Sequence, residues 1–199
     1  MIIHKKFILA SSSASRKKIL KNIGFPFLQV APNCKEEKIK KELRYLKNKP
    51  TLIAKKLSYE KAKSISIQEK YQGIRVIGCD TLIYMNNKSF DKAKNIKEAK
   101  EKIKKLSGKK HKIVSGLTIC KDGKKIWQCS EVTTVTLRPL SGIEINEYLK
   151  KTGSQILQSV GCYQIESKGP EIIEKISGDF FNVMGLPLFK LMKYVHNNK

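Results

Sequence analysis

The chain has 199 residues, 40% of them hydrophobic, which is enough for one domain with a substantial core. Its formal net charge is +24, but only four of its 41 basic residues are arginines, and the lysines are spread over nearly every polar segment. Since nucleic-acid clamps favour the bidentate guanidinium, this pattern argues against a specific nucleic-acid interface and favours a solvated basic surface, which would still draw a polyphosphate into a cleft.

The first half of the chain predicts alternating strands and helices. In chain order these elements are a strand at Lys6–Ala10, a Ser-rich turn at Ser11–Ser15, a helix from Arg16 to about Asn22 with Ser13 or Ser15 as its cap, a strand at Phe27–Ala31, a loop and helix within Asn33–Asn48, a helix beginning at Pro50, and a long apolar strand at Arg75–Met85. The last of these is the best candidate for a central strand of the sheet.

The second half of the chain continues the mixed pattern. Its predicted elements are a turn at Asn87 and Lys88, a helix from Asn95 to Gly108, a hairpin of His111–Cys120 and Lys125–Leu137 around Asp122 and Gly123, a helix from Ser141 to about Lys151, a loop and strand within Gly153–Ile165, a short helix from Pro170 to Ile176, and a last helix from near Pro187 to about Tyr194. No repeat or linker divides the chain, so residues 1–199 are predicted to form a single α/β domain.

The cysteines and histidines exclude two kinds of stabilising site. The five cysteines are odd in number, lie far apart and form no C-x-x-C pair, and the three histidines have no metal-ligand spacing. A disulfide framework and a zinc site are therefore not expected, and a reducing cytoplasm fits this usage. The apolar run Phe7–Ala10 is too short for a signal peptide, and no segment approaches transmembrane length, so no membrane association is expected.

The Ser-rich turn between the first strand and the first helix is the first candidate site. A helix N-terminus carries unpaired N–H groups and a partial positive charge, and the hydroxyls and Arg16 would add further donors for an anion. Simple helix capping by the serines is the alternative, and this segment taken alone favours it. The required glycines and the G-K-[ST] sequence are absent, so this is not a P-loop.

Asp80 is the second candidate, because it interrupts the apolar run Arg75–Met85. A buried carboxylate without a partner costs several kcal/mol unless it binds a metal, acts as a base or faces a cleft. The alternative is an aspartate at a bend between two strands. The hydroxyl of the adjacent Thr81 would either help to hold a ligand or form a hydrogen bond within the turn.

The third candidate set consists of charges scattered along the chain, Glu36, Lys61, Lys92 and Glu166, each of which taken singly is better explained as a surface charge. An ordered series of motifs connects them with the first two candidates. LASSSASRKKIL resembles the opening L-A-S-x-S-P-x-R-x-x-L-L of a known protein family, LSYEKA resembles its L-A-x-E-K-A, and VIGCDT resembles its V-I-G-A-D-T. FDKAK stands where the family has L-G-K-P-K, and EAKEKIKKLSGKKHKIVSG, RPLS, SVGCYQIES and ISGDFFNVMGLPL follow in the family order. The family that these motifs resemble is the Maf family, and the resemblance covers nearly the whole chain.

The resemblance implies a fold and an activity. Members of this family are nucleotide pyrophosphatases, once described as septum-formation inhibitors. The implied fold is a single elongated α/β domain with a mixed β-sheet flanked by helices and a deep cleft between two lobes, often as a homodimer. The implied reaction converts a nucleoside triphosphate into its monophosphate and pyrophosphate, with a divalent cation, Mg²⁺ before Mn²⁺ or Co²⁺, as the expected cofactor.

Family roles carry over to individual positions of this sequence. Asp80 is the implied catalytic residue, and Glu36 with Asp80 would hold the metal. The implied phosphate-binding residues are Ser11, Ser13, Arg16, Lys61 and Lys92, and the implied base-specificity residues are Ser15, Thr81 and Glu166.

Several positions depart from the family pattern and leave alternatives open. The motif Pro is Ala14, the acidic residue before Glu36 is Lys35, and the Gly of G-K-P is Asp91. Ser15 and Glu166 replace the Arg and Gln of pyrimidine-preferring members, which favours purine, 7-methyl-GTP or other modified nucleotides, or a broad specificity. The alternatives are a catalytically weak relative and a basic nucleic-acid-binding or division-regulating protein.

Overall fold

The computed structural model describes residues 7–43 and 49–198, which contain a seven-stranded mixed β-sheet flanked by seven α-helices. The strands are β1 (Phe7–Ala10), β2 (Phe27–Val30), β3 (Arg75–Met85), β4 (Lys88–Phe90), β5 (Lys110–Lys121), β6 (Lys124–Leu137) and β7 (Ile173–Ser177). The helices are α1 (Ala14–Asn22), α2 (Glu36–Glu42), α3 (Pro50–Ser66), α4 (Ile96–Leu106), α5 (Gly142–Thr152), α6 (Phe180–Val183) and α7 (Leu188–Asn197), with 3₁₀ turns at Glu69–Tyr71, Gly153–Gln158 and Gly169–Glu171.

The strand pairing leaves a gap along one edge of β3. The strand order is β2-β1-β3-β5-β6-β7, with β1 parallel to β2 and β3 and the later pairs antiparallel. On the edge of β3 away from β5, pairing with β1 ends at Gly78, and pairing with β4 begins at Ile83. The stretch between them, 79–82, has no strand beside it among the described residues, so the sheet opens there at the carboxyl end of β1.

Apolar clusters lie on the two sides of this gap. One contains Phe7, Leu20 and Leu191 from β1, α1 and α7, together with Ile77 of β3. The other is built by α4, α5 and the segment that follows α5, and it takes Ile83 from β3. The long strand β3 thus connects two packed regions, and the cleft between them begins where β3 passes from one to the other.

Two glycines bring α3 unusually close to the sheet. A Cβ on Gly78 would lie 2.2 Å from the carbonyl oxygen of Ser58, and one on Gly116 would lie 2.2 Å from that of Ala54. Gly116 is paired with Asp80 in the register of β3 and β5. The absence of side chains at both positions lets α3 pack directly on the face of the sheet that carries Asp80.

The predicted fold class is confirmed, and most predicted elements are present. Ser13 caps α1, accepting a hydrogen bond from the Arg16 amide at 3.4 Å, and Asp122 and Gly123 form the hairpin turn with φ of 50° and 75°. The predicted strand lies at Phe7–Ala10, and Lys6 and the part of Asn33–Asn48 that covers 44–48 fall outside the described residues. Strand β4 and helix α6 were not predicted.

Two predictions in the last third of the chain are wrong. The strand predicted within Gly153–Ile165 is a 3₁₀ turn at Gly153–Gln158 followed by irregular chain, where Cys162 has a left-handed φ of 55° that an extended strand does not allow. The helix predicted from Pro170 to Ile176 is instead a 3₁₀ turn and the strand β7, whose Ser177 pairs with Thr134 of β6. Pairing with the sheet overrides the local helical pattern there.

None of the helices in the described ranges is long and apolar enough to cross a membrane.

Candidate active site

A cleft of about 730 Å³ opens at the gap in the sheet. Its walls come from the turn before α1, from α2 and α3, from β3, from the loop after β4, and from the segments 158–166 and 183–185. The predicted site residues that line it are Ser13, Ser15, Arg16, Glu36, Lys61, Asp80, Thr81, Lys92 and Glu166. Ser11 is buried behind this lining and accepts a hydrogen bond from Arg16, so the fold brings the whole predicted set together.

Asp80 and Lys61 form the central ion pair of the cleft. Lys61 Nζ lies 2.6 Å from Asp80 Oδ1 and 3.1 Å from Glu36 Oε1. The second oxygen of the aspartate, Oδ2, is buried and has no hydrogen-bond partner among the described residues. An unpaired carboxylate oxygen in such a place is rare in a folded protein and is able to accept a ligand or a proton.

The surroundings of Lys61 keep its amine protonated. Burial alone would lower the pKa of Lys61, and the charge of Arg16 acts in the same direction. The charges of Asp80 and Glu36 and the hydrogen bond to Asp80 outweigh both, so the pKa of Lys61 is raised above its ordinary value. The protonated amine of Lys61 is therefore a permanent positive charge within the cleft.

Arg16 is buried and held by three hydrogen bonds. Its Nε donates to the carbonyl oxygen of Gly185 at 2.7 Å, Nη1 to Ser11 Oγ at 3.0 Å, and Nη2 to Thr81 Oγ1 at 3.0 Å. A guanidinium has five N–H donors, and the two that have no partner among the described residues are available to an anion in the cleft. The Ser-rich turn thus caps α1 through Ser13 and also fixes an arginine beside the N-terminus of the helix.

Ser15 and Glu166, both predicted to act in base specificity, are bonded to one another. Ser15 Oγ donates to Glu166 Oε1 at 3.0 Å, across 151 positions of sequence. The third residue of that predicted group, Thr81, has its hydroxyl bonded to Arg16, to Ser115 Oγ at 2.9 Å and to the carbonyl oxygen of Gly185 at 3.3 Å. Thr81 therefore orients Arg16, and its role in base selection stays a prediction.

Lys92 lines the same cleft as Arg16 and lies in the loop between β4 and α4. The pKa of Lys92 is lowered, first by loss of surrounding water and then by the positive charges of Arg16 and Lys61, against which Glu36 and Asp80 act. A bound anion would remove this mutual repulsion of cations. The geometry is suited to gather three cationic groups around one polyphosphate.

Sequence reasoning missed two lysines that also line the cleft. Lys40 on α2 bonds to Asp91 Oδ1 at 2.7 Å, and Lys94 follows Lys92 on the same loop. In a chain whose polar segments are nearly all lysine-rich, neither residue has a distinctive local pattern. Gly185 was also unassigned, although its carbonyl oxygen accepts from both Arg16 and Cys79 Sγ and its φ of 98° requires glycine.

The donor groups of the cleft fit a magnesium ion that shares its shell with a substrate. Within residues 7–43 and 49–198, no three His, Cys, Asp or Glu side chains converge to form a protein-only metal site. The unpaired Oδ2 of Asp80 and the half-buried carboxylate of Glu36 supply the one or two carboxylates that Mg²⁺ takes when phosphate oxygens complete its coordination.

The similarity of this chain to known proteins covers nearly its whole length. A family model described as "Maf-like protein" matches residues 6–198. The chain is 34% identical over 194 residues to a 7-methyl-GTP pyrophosphatase of Brucella abortus biovar 1 (strain 9-941), covering 98% of this chain and 96% of that protein. It is 36% identical over 187 residues to a nucleoside triphosphate pyrophosphatase of Caulobacter vibrioides (94% and 92% covered) and 38% identical over 185 residues to a 7-methyl-GTP pyrophosphatase of Bartonella quintana (93% and 91%).

Proposed function

The chain belongs to the Maf-like protein family, and on this basis we propose that it hydrolyses nucleoside triphosphates to the monophosphate and pyrophosphate. The observation that carries the proposal is the convergence of Arg16, Lys61, Lys92 and Asp80 on one cleft of about 730 Å³. The relatives named as nucleoside triphosphate and 7-methyl-GTP pyrophosphatases support it at 34–38% identity over nearly the full chain.

The proposed reaction is attack of a water oxygen on the α-phosphorus. The bond from water oxygen to phosphorus forms as the bond from the α-phosphorus to the bridging oxygen breaks, and pyrophosphate leaves. Asp80 orients the water and accepts its proton. Arg16, Lys61 and Lys92 hold the phosphate oxygens in place and stabilise the charge that develops on them.

A divalent cation, Mg²⁺ in the first place, is the proposed cofactor. Among residues 7–43 and 49–198, the charged side chains that line the cleft are five cations (Arg16, Lys40, Lys61, Lys92, Lys94) and five anions (Glu36, Glu37, Asp80, Asp91, Glu166), so this part of the lining has no net formal charge. A triphosphate would bring several negative charges into this balanced site. Bound through Asp80 and Glu36, the ion would supply neutralisation of phosphate charge and polarisation of phosphate oxygens.

A purine-type base, including 7-methylguanine, is the proposed preference. Glu166 accepts a hydrogen bond from Ser15 through Oε1, which leaves its other carboxylate oxygen available to a base. A carboxylate only accepts hydrogen bonds, so it complements the N–H groups on the Watson–Crick edge of guanine. Two of the three relatives described above are named for 7-methyl-GTP.

A cytoplasmic location and a homodimeric state complete the proposal. The cysteines among the described residues are all free thiols, which suits a reducing compartment. The dimer is implied by the family resemblance. Light scattering after size-exclusion chromatography measures the oligomeric state directly.

A screen for pyrophosphate release tests the function. The purified chain is incubated with common and modified triphosphates in the presence of Mg²⁺, Mn²⁺ or Co²⁺, beside Asp80→Asn, which keeps the size of the side chain and removes its charge. We expect the variant to turn over about 10²–10⁴-fold more slowly, because a positioned proton acceptor is lost. Wild-type turnover in Asp80→Asn would exclude this mechanism.

A negative screen would distinguish the other two functions. If no triphosphate releases pyrophosphate but nucleotides bind, the chain is a relative without catalysis. If instead duplex DNA binds with a steep dependence on salt, the nucleic-acid-binding alternative is correct.

A further inference from the structure

Lys102 is a buried lysine outside the set of residues assigned so far. It lies on the face of α4 that also carries the buried residues Ala99, Ile103 and Leu106, and it is 9% exposed. Its Nζ donates to the main-chain oxygen of Asp91 and, at 3.2 Å, to that of Val160. A lysine side chain that ends on two main-chain carbonyls inside the protein is uncommon, since most buried ammonium groups pair with a carboxylate.

The two carbonyls belong to two different walls of the cleft. Asp91 directly precedes Lys92, the proposed phosphate ligand on the loop after β4. Val160 lines the cleft within the segment 158–166, which ends at Glu166, the residue proposed to contact the nucleobase. Lys102 does not itself line the cleft, but its ammonium connects the wall that would contact phosphate with the wall that would contact the nucleobase.

The connection is strong for a physical reason. Lys102 is 9% exposed, so its ammonium has lost much of its water, and this burial lowers the pKa of Lys102, while Cys162, Asp91 and Glu98 act in the opposite direction. Under these conditions each hydrogen bond from the ammonium is charge-assisted and worth more than one at the surface. Without Lys102, both carbonyls would lose a partner, and the two walls would lose one attachment that they share.

The other tie to Asp91 is weaker. Lys40 binds the carboxylate of Asp91, whose side chain is 72% exposed. A surface ion pair of this kind contributes little to holding a loop. The main-chain bond from Lys102 is therefore the stronger of the two ties to Asp91, and it acts together with the burial of Ala93 in the apolar cluster of α4 and α5.

We propose that Lys102 is a positioning residue, which holds Lys92 and the 158–166 wall in register so that the phosphates and the base of one nucleotide are bound at the same time. The inference rests on the proposed function, in which Lys92 binds phosphate. Lys102 itself does not touch the substrate.

The test compares Lys102→Met, which removes the ammonium and retains the length of the chain, with Lys105→Met, a change at an exposed lysine of the same helix. Lys102→Met should lower kcat/KM for the best triphosphate about tenfold, as expected when two hydrogen bonds that orient a ligand-binding loop are lost, and Lys105→Met should leave it unchanged. In the Lys92→Met background, Lys102→Met should cost less than about threefold, because the residue that it positions is already gone.

Hydrogen exchange gives a second measurement that requires no activity. Amides in 91–93 and 160–162 should exchange faster in Lys102→Met than in wild type, while those of β5 should not change. If the variant does not fold, Lys102→Gln, which keeps a neutral N–H donor, replaces it in both comparisons.

The outcomes separate this inference from the proposed function. A wild-type chain that releases no pyrophosphate contradicts the proposed function, and the exchange data then decide whether Lys102 holds the two segments. An active wild type with equal losses from Lys102→Met in both backgrounds, or with unchanged exchange at 91–93 and 160–162, overturns the positioning role.

Discussion

The ammonium of Lys61 lies 2.6 Å from the carboxylate of Asp80, and these side chains are only 9% and 8% exposed. The close approach depends on Gly78 and Gly116, which allow α3 to rest on the sheet with no side chain between them. Each charge is costly to bury alone and is tolerated because the other is present. The same pair that the fold must hold together is thus the one that the proposed reaction requires.

Removing Lys61 should therefore destabilise the protein strongly. Lys61→Met leaves Asp80 buried without its cation, and we expect the free energy of unfolding to fall by about 3–5 kcal/mol in urea titrations. Lys56→Met is the matched control, because Lys56 is a half-exposed lysine of the same helix paired with Glu60 at 2.6 Å. It should cost less than about 1 kcal/mol.

The double variant Lys61→Met/Asp80→Asn identifies the cause. With the negative charge removed as well, most of the lost stability should return. If Lys61→Met costs no more than Lys56→Met, the buried pair is not a significant element of stability.

Acid should destabilise the protein through His111. This side chain is 2% exposed, its Nε2 is 2.6 Å from Tyr163 Oη, and burial lowers the pKa of His111 to about 4. The unfolded chain, with a pKa near 6.5, binds a proton first, so the contribution of His111 is complete above pH 6.5 and is lost as the pH falls towards 4. By pH 5 the loss should be roughly 2 kcal/mol.

Urea unfolding at pH 7.5 and pH 5 measures this effect. Carboxylates also titrate in acid, so the comparison is with His111→Gln, which keeps a polar group near Tyr163 but does not take up a proton. The variant should lose less stability than wild type over the same interval. Equal losses in the two proteins would mean that His111 is not the titrating group.

Strands and helices with strong local patterns were predictable from the sequence. The apolar run Arg75–Met85 is the central strand, and Asp80 within it is a buried residue of the cleft. Asn95 and Ser141 cap α4 and α5 as their sequence positions suggest. For these elements, a few neighbouring residues are enough to determine the local secondary structure, so the sequence prediction and the structure agree.

Contacts between distant segments were not predictable in the same way. Ile173–Ser177 becomes a strand because β6 offers it a free edge, which no local window contains. Lys40 and Lys102 resemble any other lysine of this chain in sequence, and only the packing of α2 and α4 brings them to Asp91. The predicted site was assembled through the family resemblance, since its members come from positions 11 to 166.

The close contact of α3 with the sheet predicts a severe effect of a small change. In Gly116→Ala the new Cβ would lie 2.2 Å from the oxygen and 2.3 Å from the carbon of the Ala54 carbonyl, so helix and sheet must move apart. We expect a loss of about 2–3 kcal/mol and a fall in turnover, because Lys61 moves with α3.

Gly142→Ala is the control for Gly116→Ala. An added Cβ at position 142 has open space around it, at the first turn of α5. The midpoint of thermal unfolding should stay the same or rise slightly there. A wild-type midpoint in Gly116→Ala would show that α3 does not rest on the sheet as closely as described.

Specificity should respond to Glu166 without a general loss of turnover. Glu166 Oε1 already accepts from Ser15, and Glu166→Gln converts part of an acceptor-only carboxylate into a donor. The ratio of kcat/KM for guanine-type over pyrimidine triphosphates should fall about tenfold, the effect of one hydrogen bond to a charged group. Turnover of the best substrate should stay within about threefold of wild type, since the groups around the phosphates are untouched.

Glu147→Gln on the exposed face of α5 is the matched change of charge outside the cleft and should leave the ratio as it is. An unaltered ranking of bases in Glu166→Gln would place the base elsewhere in the cleft and leave the Ser15–Glu166 bond as a purely structural contact.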